Sequence, residues 1–272
     1  MPTRFDRDTA VTRTDEWTFE ARLDPGWSVV RGPNGGYLAA IILRALLATV
    51  DDPARVPRSF TTHYASPPRD NDVVSITTAI ERQGRSLTSC TARVHQHDRL
   101  VGLAIAAFSA PRPGPEFCDV MMPSVPGPDD LPSREPPPEA PPIASRWHTR
   151  WAIGSPPVPD APRMSEAVSG GWIRPEDPHL LDAPLVAALT DAWIPPIFSR
   201  IEPAFVVPTV DLTIHFRATL PAPTASPDDW AFVLFRTNVA AEGFIEEDGQ
   251  VWSGDGTLLA QSRQLAVVMP LA

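Results

Sequence analysis

The sequence contains no lysine, and only two of its 272 residues are cysteines, Cys90 and Cys118. Their spacing matches neither a metal site nor a redox motif, so we expect two reduced thiols. Every basic residue other than histidine is an arginine, a bias that resembles the coding of a GC-rich bacterium. The formal net charge is −10, which argues against a nucleic-acid partner because such a partner selects a basic surface.

No run of residues is long and apolar enough to cross a membrane comfortably. The longest, residues 35–50, falls short of the roughly 20 residues that a spanning helix needs, and it includes Arg44. Its composition predicts a buried helix. The N-terminal residues carry charges without the apolar core of a secretory signal. We therefore expect a cytoplasmic protein with no membrane partner.

Proline is abundant, with 34 residues, and it clusters between Pro111 and Pro142. Because proline lacks a backbone donor and fixes φ, this stretch cannot form a central strand or a helix interior. It predicts an extended connector. The chain thus divides into a first half at residues 1–110, a linker at 111–145 and a second half at 146–272.

The two halves repeat one order of elements, in which short strands, one helix and a run of strands follow each other. In the first half the helix is predicted over Gly36–Val50, with strand candidates at Trp17–Arg22, Trp27–Arg31, Arg58–Ser66, Val73–Arg82, Leu87–His97 and Leu100–Ser109. In the second half it is predicted over Ala183–Trp193, with strand candidates at Arg146–Ile153, Val168–Arg174, Thr209–Thr219, Trp230–Val239, Gly243–Trp252 and Thr257–Val268. The acidic segment EEDG at residues 246–249 is interpreted as a loop. The duplication predicts an α+β protein in which one sheet around one central helix occurs twice.

The motifs in this order resemble those of the double-hotdog acyl-CoA thioesterases of the thioesterase II type, over nearly the whole chain. The first half carries RGPNGGYLAAIILRAL at 31–46 and RSFTTHYASPPRDND at 58–72. The second carries ALTDAW at 188–193, PTVDLTIHF at 208–216 and DGTLLAQSRQ at 255–264. Leu212 departs from the pattern, which has a polar residue, often His, at this position. The resemblance implies a double hotdog, with two antiparallel sheets each wrapped around a central helix.

The resemblance also assigns catalytic roles to Asp191, Thr209 and Gln264. An ionised Asp can accept a proton from water, while Thr and Gln can each donate and accept hydrogen bonds and so orient that water. Hydrolysis by water needs no cofactor and no covalent intermediate. A metal site is not expected either, because His95 and His97 share a strand face without a third ligand at useful spacing.

Strand alternation gives these residues a local setting. It places Thr209 on one face with Asp211, Thr213 and His215. Gln264 lies among small apolar neighbours and needs hydrogen-bond partners if it is buried. In the first half the residue matching Gln264 is near Ala106, which predicts one working site per chain, mostly on second-half residues.

A second set of site residues, Asn34, Gly35 and Gly36, begins the first helix. Free backbone amides at a helix start can bind negative charge, so this turn is predicted to polarise the thioester carbonyl or to bind part of coenzyme A. The alternative is that the glycines serve close packing of the helix end against a strand.

Three functions are compatible with the sequence. The first is hydrolysis of acyl-CoA, a small-molecule partner. The second is a related hotdog hydratase or acyltransferase, although a hydratase usually uses an Asp/His pair and no His is close to Asp191 in sequence. The third is a non-catalytic acyl-CoA or fatty-acid binding protein. The family resemblance further implies that two chains form a homodimer of double hotdogs.

Overall fold

The computed structural model describes residues 1–156, 161–202 and 204–270. The helices are α1 (Arg4–Asp8), α2 (Gly35–Val50), α3 (Ala183–Leu189) and α4 (Ile197–Arg200). The strands of the first half are β1 (Thr12–Asp15), β2 (Thr18–Arg22), β3 (Ser28–Val29), β4 (Gly32–Pro33), β5 (Val56–Tyr64), β6 (Val73–Gln83), β7 (Thr88–Gln96) and β8 (Arg99–Ser109). Those of the second half are β9 (Trp147–Ile153), β10 (Ala167–Pro175), β11 (Phe205–Val206), β12 (Thr209–Phe216), β13 (Ala231–Thr237), β14 (Ala240–Ala241), β15 (Phe244–Ser253), β16 (Leu258–Val267) and β17 (Met269–Pro270). Within the described ranges, no helix has the length and apolar character needed to span a membrane.

Most strands belong to one antiparallel sheet, which has thirteen strands in the described part of the chain. The two halves meet edge to edge where β5 pairs with β12, and Thr61 lies opposite Thr213 at the centre of that pairing. The hydroxyls of these two threonines are 3.1 Å apart and share a hydrogen bond. The two sheets expected from the sequence are therefore hydrogen-bonded into one.

The strand order repeats on either side of the β5–β12 pairing. Moving outward, the first half runs β5-β8-β7-β6-β2-β1 and the second runs β12-β16-β15-β13-β10-β9. Thr61 opposes Ile105 as Thr213 opposes Arg263, so the residues that follow, Ala106 and Gln264, occupy equivalent positions. The duplication and the match of Ala106 to Gln264 are both confirmed.

Helix α2 is the buried helix that its composition predicts. The Asn34 side chain caps it by accepting a hydrogen bond from the amide of Tyr37 at 2.9 Å, and Asp51 ends it in a left-handed conformation with φ of 46°. One side of α2 packs on β5–β8 and another packs on α3. Because it is enclosed in this way, almost all of its side chains are apolar.

Helix α3 ends at Leu189, four residues before the predicted end at Trp193. The Thr190 hydroxyl donates to the carbonyl of Ala187 at 2.7 Å, and the Thr190 and Asp191 amides each bond three residues back. This tightened turn stops the α-helical pattern. Asp191 consequently lies in the turn after the helix and not in its last turn.

The proline-rich segment forms none of the strands of the sheet; its regular structure is limited to short 3-10 turns at Pro128–Asp130 and Pro142–Arg146. Met122, Val125 and Leu131 pack against Trp172, Phe232 and Trp252 on the sheet face opposite the helices. The indole of Trp172 also donates to the carbonyl of Pro126 at 2.8 Å. The segment therefore covers part of that face. The exact division at residues 111 and 145 stays a prediction.

One local prediction needs shortening and another was wrong. The strand predicted over residues 27–31 is shorter than expected and comprises only β3, because Asp24 accepts a hydrogen bond from the Gly26 amide at 2.8 Å and caps a 3-10 turn that takes up Trp27. Residues 246–249 do not form a loop, because they lie within β15 and pair continuously with β16.

Candidate active site

The three residues predicted to be catalytic come together at the junction of the two halves. Asp191 follows α3, Thr209 begins β12 and Gln264 lies in the adjacent strand β16. The first turn of α2, contributed by the other half of the chain, faces Asp191. The site is therefore built from both halves.

Thr209 and Gln264 are directly hydrogen-bonded, with the Thr209 hydroxyl donating to Oε1 of Gln264 at 2.8 Å. A β-bulge between Thr209 and Asp211 makes this possible. It turns Thr209 to the helix-facing side of the sheet, away from Asp211 and Thr213, with which simple alternation had grouped it. The predicted shared face was therefore wrong, and the bulge brings Thr209 to the side chain of Gln264.

The carboxylate of Asp191 is held by the first turn of α2. Its Oδ2 accepts hydrogen bonds from the Gly36 amide and from Nδ2 of Asn34, each at 2.9 Å. The same Nδ2 lies 2.9 Å from the backbone carbonyl of Asp191. Asn34 thus caps α2 through its oxygen and binds Asp191 through its nitrogen.

Burial raises the pKa of Asp191 to about 6, against hydrogen bonds from Gly36, Gln264 and Asn34 that lower it. The amino end of α2 adds a partial positive charge that also favours the anion. Asp191 is therefore mostly ionised at neutral pH, yet its pKa is close enough to neutrality for it to accept and return a proton. Asp191 is half-buried as a whole residue, and burial of its carboxylate group causes this rise in pKa.

Both glycines of the α2 turn are required because neighbouring atoms lie where a Cβ atom would be placed. A Cβ at Gly36 would lie 2.5 Å from the carbonyl oxygen of Ala188, and one at Gly35 would lie 2.9 Å from Oδ2 of Asp191. Tyr64 donates from its hydroxyl to the carbonyl of Gly35 at 2.6 Å and completes the wall around the carboxylate. Burial and the charge of Asp191 raise the pKa of Tyr64 well above its usual value, so the phenol stays neutral.

The predicted role of Asn34, Gly35 and Gly36 in substrate binding stays a prediction. In the structure, the Gly36 amide and the Asn34 side chain are engaged with Asp191. The close packing of the glycines, which the sequence left open as the alternative, is observed as well.

Sequence reasoning missed Glu247, which lies on β15 directly opposite Gln264. Its Oε1 accepts a hydrogen bond of 2.6 Å from Nε2 of Gln264, and the residue is only 6% exposed. Burial, followed by the charge of Asp191, raises the pKa of Glu247 to about 8. Strand alternation could have revealed it, because Glu247 shares a face with the buried residues Ile245 and Val251.

A groove of about 510 Å³ lies on the opposite face of the same strands and contains none of these residues. Its arginines are engaged by neighbours: Arg263 pairs with Asp248, Arg236 with Glu166, and Arg217 with Gln261. The buried network on the helix-facing side is therefore the better candidate for chemistry.

The N-terminal domain of acyl-CoA thioesterases matches residues 23–109, and the C-terminal domain of the same family matches residues 123–268. This chain belongs to the acyl-CoA thioesterase family. The family assignment makes it an acyl-CoA thioester hydrolase and covers both halves that build the site.

Solved structures agree on the fold of this thioesterase. A hotdog-fold protein of unknown function from Alicyclobacillus acidocaldarius is 26% identical, with a TM-score of 0.87 and 98% of each chain covered. The tesB protein of Mycobacterium avium subspecies paratuberculosis is 21% identical, with a TM-score of 0.77 and 98% of each chain covered. Acyl-CoA thioesterase II TesB2 from Mycobacterium marinum is 19% identical, with a TM-score of 0.77, covering 98% of this chain and 99% of that one. No curated protein matches the sequence.

Proposed function

We propose that the thioesterase hydrolyses acyl-CoA by direct attack of a water molecule that Asp191, Thr209 and Gln264 hold in place. The supporting observation is the direction of the Thr209–Gln264 hydrogen bond. Because the Thr209 hydroxyl gives its hydrogen to Gln264, the Thr209 oxygen is left as an acceptor. A water between Thr209 and Asp191 can then donate to both and direct a lone pair at the thioester carbon.

The reaction needs one base and no covalent enzyme intermediate. Asp191 takes a proton as the water oxygen bonds to the carbonyl carbon, and the carbon–sulfur bond then breaks. The products are the carboxylic acid and coenzyme A, whose sulfur takes up the proton. Fixing the water close to the base and to the carbonyl converts a bimolecular reaction into one within a single complex.

The first half lacks the matching side chains. The positions equivalent to Thr209, Gln264 and Glu247 are held by Pro57, Ala106 and Cys90. Burial raises the pKa of the Cys90 thiol to about 11, so this residue is not a reactive nucleophile at neutral pH. We therefore propose one site per chain, with Asn34, Gly35 and Gly36 as the contribution of the first half.

A hydratase would use a histidine beside the carboxylate. Among the described residues, the hydrogen-bond partners of the Asp191 carboxylate are Asn34, Gly35, Gly36 and Gln264, and none is a histidine. The network therefore favours hydrolysis over hydration. Pairing of two chains and a cytoplasmic location stay predictions.

The test is release of free thiol from acyl-CoAs of short to long chain length. Wild-type turnover is expected to fall about 100-fold or more in Asp191→Asn, the scale for loss of a general base. The matched control is Asp98→Asn, at an exposed turn, which should behave as wild type. Thr209→Val should also lose activity, while Thr213→Val, on the other face of the same strand, should retain it.

The outcomes distinguish a hydrolase from a binding protein and test Asp191 as the base. Tight binding of acyl-CoA by the wild type without turnover would identify a binding protein. Turnover that survives Asp191→Asn would keep the hydrolase function and refute the proposed base.

A further inference from the structure

Glu247 is a buried carboxyl group in the middle of a strand. Its sequence neighbours face the other side of the sheet, where Asp248 pairs with Arg263, and Glu246 accepts hydrogen bonds from the amides of Asn238 and Val239. In the described part of the chain, no arginine or histidine forms an ion pair with Glu247. A buried acid without a cation destabilises a fold, whereas an apolar side chain of similar size would pack there at no such cost. The position therefore points to a role other than stability.

The contact that Glu247 makes is with one of the proposed site residues. The amide of Gln264 can be rotated by half a turn, which exchanges its oxygen and nitrogen with little change in shape. Glu247 presents an acceptor to Nε2 at 2.6 Å, while Thr209 donates to Oε1 at 2.8 Å. In this orientation both ends of the amide have partners, since Nε2 donates to Glu247 and Oε1 accepts from Thr209.

The orientation of the Gln264 amide decides which way the Thr209 hydrogen points. With Oε1 toward Thr209, the hydroxyl donates to Gln264 and its oxygen accepts from water. With Nε2 in that place, the hydroxyl oxygen would accept from Gln264 and its hydrogen would point toward the water. The second arrangement would turn a hydrogen of the threonine, instead of a lone pair, to the nucleophile.

We propose that Glu247 is a positioning residue for thioester hydrolysis, which fixes the amide of Gln264 so that the Thr209 oxygen is free to accept a hydrogen from the attacking water. This inference rests on the proposed function, since it concerns the same water. Glu247 acts through Gln264 and Thr209.

The charges around Glu247 fit this role. Asp191 is the carboxylate that faces it across the site, and Glu246 and Asp248 flank it on its own strand. With its pKa raised to about 8, Glu247 keeps its proton at neutral pH, and the proposed role requires this proton to lie on the oxygen that does not face Gln264, so that the facing oxygen accepts from Nε2. Asp191 then remains the ionised carboxylate of this pair.

The experiment compares three substitutions by steady-state kinetics with an acyl-CoA that the wild type hydrolyses. Glu247→Gln retains an acceptor oxygen at the same reach, so kcat should stay within about threefold of wild type. Glu247→Leu and Glu247→Asp should lower kcat about 10- to 100-fold with KM little changed, because Leu lacks the acceptor and Asp is one methylene too short. A purely structural role would lower the melting temperature without this split between kcat and KM.

The results that overturn the inference are distinct from those that overturn the function. If Glu247→Leu and Glu247→Asp keep wild-type kcat, or if Glu247→Gln is as slow as they are, Glu247 does not position Gln264. If the wild type releases no thiol from any acyl-CoA, the proposed function is contradicted, and so is this inference. Should Glu247→Leu not fold, the Asp and Gln variants still give the decisive comparison, with circular dichroism confirming their folded state.

Discussion

The amide of Gly36 donates to Oδ2 of Asp191 at 2.9 Å, so helix α2 of the first half holds a carboxylate of the second half. The amino end of this 16-residue helix carries a partial positive charge that stabilises an anion. Burial acts in the opposite direction and raises the pKa of Asp191. The balance of these two effects gives a base that is suited to neutral pH, and it depends on how the halves pack.

Gly36→Ala tests this packing. The new Cβ would be placed 2.5 Å from the Ala188 oxygen and 3.0 Å from Cβ of Asp191, so α2 and the turn after α3 must move apart. We expect kcat to fall by about 100-fold, the scale for a displacement of about 1 Å in a catalytic group, together with a lower melting temperature. Gly114→Ala, where a Cβ meets nothing within 4 Å, is the control. Wild-type kinetics in Gly36→Ala would show that the α2 contact is not needed.

The pH dependence of the rate should report the ionisation of Asp191. With a pKa of about 6, kcat/KM should fall as pH drops below about 6, because the base becomes protonated. Asn34→Asp keeps the cap on α2 but replaces a donor to Asp191 with a second carboxylate. This change should raise the pKa of Asp191 and move the acid limb to higher pH. Asn34→Ser, which can also cap but adds no charge, should move it less, and an unmoved limb in Asn34→Asp would contradict the assignment.

The pH dependence of stability should report Glu247. Its pKa is about 8 in the folded chain against an ordinary value of 4.5, so the folded state binds more protons than the unfolded state between these values. The free energy of unfolding therefore decreases as pH rises from about 4.5 to about 8. Asp191 contributes a decrease of the same sign between 3.8 and about 6.

Glu247→Gln removes the larger of these two contributions. Its melting temperature, measured by circular dichroism across this pH range, should fall less with rising pH than that of the wild type. Glu20→Gln, at an exposed position of β2, should follow the wild-type curve. Parallel curves for wild type and Glu247→Gln would mean that Glu247 is not protonated in the folded protein at neutral pH.

The sequence was sufficient for features that repeat or that depend on local chemistry. The buried helix after Asn34 follows from its local composition, and the duplicated order of elements and the match of Ala106 to Gln264 follow from comparing the two halves. The continuous sheet could not be predicted in this way, because the β5–β12 pairing joins residues about 150 positions apart, and no local pattern specifies it.

The candidate site likewise has some features that the sequence predicts and others that it does not. The motifs indicated Asp191, Thr209 and Gln264, but neither the bulge that turns Thr209 toward Gln264 nor the contact of Gly36 with Asp191 has a signature in sequence. Glu247 was hidden for a different reason. It stands between two other acidic residues, and such a run is usually solvated, so the composition of the segment conceals the alternation that buries Glu247.

Ala106→Gln tests whether the first half has lost its site by simple replacement of polar residues. A glutamine there would face Cys90 instead of a glutamate and Pro57 instead of a threonine, so its amide would be buried without partners. We expect it to lower the free energy of unfolding by about 1–3 kcal/mol, as for other unpaired buried polar groups, and to add no activity in an Asp191→Asn background. Ala107→Gln, whose side chain points to the opposite face of β8, should be far less destabilising. Thiol release that appears in the Ala106→Gln, Asp191→Asn double variant, but not in Asp191→Asn alone, would instead show that one polar residue restores a working site in the first half.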